Sequence, residues 1–176
     1  MRMEPAVGQI SLLIAPGAIS AVLLEMIAEL TFRSRVIILD GGNRFDGYGL
    51  ARALRRRTED LDAALQRVLL SRVFTCYQML TLLSELPQQK EPLIVLDMLS
   101  TFLDENVALH TRQDLLADCL IQLQRLSQSA PIVIWARKRS ISGVEDESLL
   151  DIVLESTHKV WHFEKPQPQE KQLSLF

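Results

Sequence analysis

Cysteine is scarce in this chain of 176 residues: Cys76 and Cys119 are the two present, far apart, with no CxxC pair. That excludes a cysteine-rich zinc site or a dithiol redox motif. It predicts small buried thiols in a reducing compartment, with a single disulfide left open. Long hydrophobic runs are also missing. Ile10–Leu24 carries no charge, but it is too short to span a bilayer and is broken by Pro16-Gly17. Glu4 and one arginine make a poor secretory n-region, so the expected location is cytoplasmic. Nor does charge of one sign dominate: 19 Lys+Arg stand against 22 Asp+Glu, net −3. A protein that coats nucleic acid by electrostatics alone is therefore excluded. The distribution is uneven, because residues 140–176 hold 3 basic and 7 acidic side chains. No internal repeat, GxxxxGK[ST] loop or nucleophile elbow with Ser/His/Asp or Cys/His partners occurs.

What is present is a core. Hydrophobic residues make up 48% of the chain, enough for one domain of ordinary size. Four short runs rich in Ile, Val and Leu read as buried parallel strands: Ile10–Ile14, Val36–Leu39, Leu93–Leu96 and Ile132–Trp135. Between them lie helical patterns at Ser20–Leu30, Asp60–Leu70, Cys76–Leu86, Arg112–Leu126 and Glu147–Leu154. A short strand is expected at Val73–Thr75, and a closing antiparallel one at His158–Phe163. Strands alternating with such helices predict a three-layer α/β fold, mostly parallel, with helices on both faces of the sheet. The core is expected over residues 1–164. From 165 onward Pro166, Gln167, Pro168 and Gln169 predict a flexible polar tail, 165–176.

In such a sheet, ligands bind beyond the carboxyl ends of the strands. The first strand runs into Ile14-Ala15-Pro16-Gly17-Ala18-Ile19-Ser20-Ala21, where a phosphate-binding loop would lie. Its chemistry needs two glycines, a lysine and a hydroxyl; Ile14, Ile19, Ser20 and Ala21 stand in those places. Only Pro16-Gly17 remains, so this is a degenerate nucleotide site or an ordinary strand–turn–helix connection with Ser20 as N-cap. Asp97, after Leu93–Leu96, has the pattern of a magnesium-binding strand-end carboxylate. Without the loop, capping or a hydrogen bond to a neighbouring loop is the alternative, and Asp40 shares that ambiguity. Two basic clusters stand out, Arg52/Arg55/Arg56/Arg57 after a Gly47–Gly49 turn and Arg137-Lys138-Arg139 at a strand end. Either can hold a few phosphates; the alternative for Arg52–Arg57 is a solvated face partly paired with Glu59, Asp60 and Asp62, and the acidic loop Glu145-Asp146-Glu147 limits any footprint at Arg137–Arg139. Arg137, Lys138 and Arg139 are the candidate DNA contact. His158 and His162 flank Val160-Trp161 in a strand pattern and do not form a helical metal pair. No metal site and no cofactor are expected.

Three stretches together carry a resemblance: Val36–Phe45, Ser71–Leu80 and Leu93–Asp97. Their order resembles the ATPase core of RecA/RadA-type recombinases, a P-loop NTPase-type sheet, over roughly residues 9–163. There a strand–acidic–Gly–x–Phe turn precedes an Arg-x-aromatic…Gln-Met stretch and the Walker B strand. The position matching the family's catalytic glutamate is Gly42, and the phosphate loop is lost. The resemblance implies a RecA-like core that has given up ATP, not an enzyme, with Arg137–Arg139 opening the segment that matches the family's second DNA-facing loop.

Gln172-Leu173-Ser174-Leu175-Phe176 is similar to the pentapeptide by which bacterial proteins bind the β sliding clamp. A flexible peptide can seat Leu175 and Phe176 in an apolar pocket while Gln172 hydrogen-bonds at its edge. The alternative is a tail packed back on its own domain. The two resemblances imply a bacterial, non-catalytic accessory protein of DNA repair or replication, within translesion synthesis, the SOS response or recombination. Its core would bind a specialised polymerase or a RecA-like protein, and its contact with the nucleoid would run through the clamp. The alternatives are a RecA paralogue that modulates recombinase filaments and a small ATPase with an atypical site.

Overall fold

The structure, a computed structural model, describes residues 4–15, 21–137 and 144–163. Six strands form one sheet: β1 (Ile10–Ala15), β2 (Val36–Asp40), β3 (Val68–Arg72), β4 (Leu93–Leu96), β5 (Ile132–Arg137) and β6 (Lys159–His162). Their order is β3-β2-β4-β5-β1-β6, and every neighbouring pair is parallel. The helices are α1 (Ala21–Arg33), α2 (Gly47–Arg55), α3 (Leu61–Leu65), α4 (Cys76–Glu85), α5 (Leu109–Ser127) and α6 (Val144–Glu155). A 3-10 turn occupies Met98–Phe102.

Parallel strands buried on both faces need apolar side chains at every position, and β1 is buried throughout. Its alternate residues feed two cores. Leu12, Leu39, Val95 and Ile134 meet Met79 and Leu83 of α4, Leu116 and Leu123 of α5, and Leu149 of α6. Leu13, Ile38, Ile94 and Trp135 meet Leu23 and Ile27 of α1 and Leu50 and Leu54 of α2. The result is a three-layer α/β sandwich of helices, sheet and helices, consistent with a RecA-like fold. No helix among the described residues is long and apolar enough to cross a membrane.

Three local expectations are corrected. The closing strand β6 runs parallel to β1, not antiparallel. The chain reaches it through α6, and a helical crossover returns the chain in the direction of the strand it left. The expected helix Asp60–Leu70 stops at Leu65, and Val68–Arg72 becomes β3, replacing the strand expected at Val73–Thr75. Leu61, Ala64 and Leu65 satisfy one helical turn against the core, after which the chain lies along β2, with Val36↔Val68 and Asp40↔Arg72 in register. The Gly47–Gly49 turn is instead the first turn of α2, capped by Asp46, whose carboxylate accepts from Gly49 N–H. At α4 the cap is reciprocal. Thr75 Oγ1 accepts from Gln78 N–H and the Gln78 amide oxygen accepts from Phe74 N–H.

Candidate functional site

The carboxyl ends of β2, β4 and β5 bring together Asp40, Asp97 and Arg137. Register sets Asp40 beside Leu96, and Leu96 beside Trp135. Asp40 is buried and accepts from the backbone N–H groups of Arg44 and Phe45, both at 2.9 Å. That pins the loop 41–46, in which Asn43 takes the left-handed conformation at φ 52°. Asp40 thus makes the hydrogen bond to a neighbouring loop that was one of its two sequence readings.

Asp97 is different. Its side chain is 3% exposed, and its backbone is left-handed, with φ 47°. It makes no capping bond to the 3-10 turn that follows. Instead, Arg44 Nε and Arg137 Nη2 each lie 3.7 Å from Asp97 Oδ2, and that oxygen receives no hydrogen bond among the described residues. Two guanidinium groups, one from the loop after β2 and one from the end of β5, therefore converge on one buried carboxylate oxygen. A divalent ion on Oδ2 would stand against both guanidinium charges.

Gly42 closes the same corner. A Cβ on residue 42 would fall 2.4 Å from Asp97 Oδ2 and 2.7 Å from its Cβ. Close approach of the loop backbone to Asp97 demands glycine here. A glutamate at this position would collide with Asp97. Among the described residues no group of three or more His, Cys, Asp or Glu is placed to hold a metal ion.

The other candidates fall as follows. Arg137 is described and turned toward Asp97, with its side chain 20% exposed. Lys138 and Arg139 lie outside the described residues, as do Pro16, Gly17 and Ser20 of the degenerate loop. The clamp-type peptide, Gln172, Leu173, Ser174, Leu175 and Phe176, lies outside them too. Arg56 and Arg57 both donate to the carboxylate of Glu25 on α1, Arg57 at 2.7 Å. Their partner is thus not Glu59, Asp60 or Asp62; Asp60 instead caps α3 through Ala63 N–H. His158 is structural, since its Nδ1 accepts from Ile10 N–H at 3.1 Å.

Both cysteines are free and buried. Burial pushes the Cys76 thiol up from its ordinary value, and pushes Cys119 up to about 12, with the nearby Asp118 charge adding to the effect. Neither has the character of a nucleophile, which needs a depressed value.

Arg44 is the site residue that pattern reading missed. The signal was its place, four residues beyond Asp40 in a Gly-Gly-Asn-Arg turn, which is legible only once β2 and β4 are known to be neighbours. No protein-family model matches the chain, and no curated protein matches it.

Proposed function

We propose that this protein is a non-catalytic accessory factor of DNA repair or replication. Its peptide Gln172–Phe176 docks on the bacterial β sliding clamp, and its α/β core binds a second repair or translesion factor. The observation that carries the reading is Gln-Leu-Ser-Leu-Phe at 172–176, after a Pro/Gln-rich polar stretch. Extended peptides of this kind bind by two anchoring side chains and an edge hydrogen bond, at modest affinity that tethering raises.

A core without catalysis is supported by the corner at Asp97. Two guanidinium groups face the strand-end carboxylate of Asp97, and Gly42 leaves no room for a catalytic glutamate beside it. Contact with DNA is then local, through Arg137–Arg139, or indirect through the clamp, in a cytoplasmic protein. Titration of the full chain and of a chain lacking 172–176 against purified β clamp tests this. The full chain binds and the shortened one does not; equal binding by both defeats the proposal.

The second reading, a RecA paralogue that modulates recombinase filaments, is favoured by the parallel three-layer sheet. It predicts altered strand exchange by the core after the tail is removed. Calorimetry with ATP and magnesium separates both from an atypical ATPase, which binds the nucleotide.

A further inference from the structure

We infer that the edge of β3 left unpaired among the described residues is a docking strand for an extended, apolar segment of a partner protein that carries an acidic residue opposite Arg72. This deepens the proposal that the core binds a second factor and rests on it. It does not depend on the tail.

The two edges of the sheet are built differently. At one edge, β6 carries Lys159 and His162, turns Trp161 into the core and covers that ring with the Lys159 ammonium, 4.9 Å from its centroid. Charge on an edge strand is the usual guard against pairing with another chain. At the other edge, β3 is Val68-Leu69-Leu70-Ser71-Arg72, with no lysine, no proline and no inward charge before its last residue. Leu69 lies 41% exposed on the α4 side of the sheet and Leu70 37% exposed on the α3 side. Both faces of this edge are therefore apolar and wet. Just beyond it, Phe74 is 70% exposed, and Tyr77 projects from the first turn of α4. Four exposed large apolar side chains thus gather on one short stretch, where isolated ones would be unremarkable.

The backbone specifies what fits. Val36 N–H donates to Arg67 O and Val73 N–H to Asp40 O. Odd-numbered residues of β3 therefore turn their polar groups to β2, and Val68, Leu70 and Arg72 turn theirs outward. A row of outward N–H and C=O groups about 17 Å long is complemented by an added strand. Arg72 has no ion-pair partner among the described residues, which calls for a carboxylate on the incoming strand. A second copy of this chain brings an arginine and no carboxylate to that edge. Five paired residues would also bury roughly half of the ~800 Å² per partner that stable dimers need. A segment of a partner protein can carry that carboxylate, and it needs no dimer-sized area on this strand alone.

The probe is a fluorescein-labelled synthetic peptide of alternating valine and threonine ending in aspartate, with a lysine-ended peptide as comparison. The full chain should bind the aspartate peptide saturably in fluorescence anisotropy. Exchange of the Leu70 and Arg72 amides should slow about tenfold on binding, while Leu69 and Ser71, already bonded to β2, do not change. Leu70→Pro removes an outward donor together with the leucine side chain, so it should weaken binding about tenfold while the circular dichroism spectrum stays that of the folded chain. Arg72→Glu, which leaves the strand intact, should reverse the preference to the lysine peptide. Absence of saturable binding, protection away from β3, or indifference to both substitutions overturns the inference. So does a concentration-dependent dimer abolished by Leu70→Pro, which would assign the edge to a second copy. If clamp titration fails while the peptide binds, only the clamp proposal falls. If the reverse holds, only the docking strand does.

Discussion

Ile10 and His158 bond each other twice: Ile10 N–H donates to His158 Nδ1 at 3.1 Å, and His158 N–H donates to the Ile10 carbonyl at 2.9 Å. The imidazole thereby stands in for a backbone acceptor at the start of the β1–β6 ladder. His158→Ala leaves a buried donor unpaired, which costs about 1–3 kcal/mol. Urea denaturation should show the midpoint falling with an unchanged slope; an equal midpoint would mean that water serves Ile10 as well.

Gly42→Ala should destabilise the fold through one neighbour, Asp97. The added methyl lands 2.4 Å from Asp97 Oδ2, and backbone conformation is not the cause, because residue 42 is not among the positive-φ positions. Overpacking of this kind costs about 1–3 kcal/mol. In an Asp97→Gly background, which removes both the carboxylate and the Cβ that would stand 2.7 Å away, most of that cost should vanish, and a double-mutant cycle measures it. Additive costs would place the clash elsewhere.

Arg44 and Arg137 stand at the same distance from Asp97, so solvent exposure decides which matters more. Arg44 is 40% exposed and Arg137 half that. Water screens the Arg44 pair more strongly. Arg137→Met should lower the melting temperature further than Arg44→Met, and added salt should narrow the difference between wild type and Arg44→Met first. Calorimetry at two ionic strengths reads both effects.

The thiols set an alkaline limit. Cys119 moves from its ordinary value of 9.0 to about 12 in the folded chain because burial disfavours the thiolate. The unfolded chain loses this proton first as pH rises. The stability contributed by the neutral thiol is thus complete below about pH 9 and is lost progressively toward pH 12. Cys119→Ser should flatten that alkaline loss of stability. The native protein should resist Ellman's reagent at pH 8, with both thiols reacting once urea unfolds it.

Much of the fold was legible because its strands are buried on both faces. Continuous Val/Ile/Leu runs marked β1, β2, β4 and β5, and α5 showed the 3.6-residue spacing of Leu116, Cys119, Leu120 and Leu123. Less was legible at the edges. Val68-Leu69-Leu70 continues a helical pattern as readily as it starts a strand, and only the neighbouring β2 decides for the strand. The Gly-rich start of α2 hid a helix whose stability comes from Leu50 and Leu54 in the core and the Asp46 cap.

Composition and local pattern determined by themselves that this chain is an α/β layer structure built on buried Val/Ile/Leu strands with helices between them. Those features need only short-range spacing and residue chemistry. Tertiary structure decided what stands around Asp97 and which sheet edge is unguarded. Arg44, Arg137 and Gly42 come from three separate stretches of chain, and only the order β2-β4-β5 brings them to one carboxylate. The exposure of Leu69 and Leu70 likewise follows from β3 pairing, among the described residues, with β2 alone.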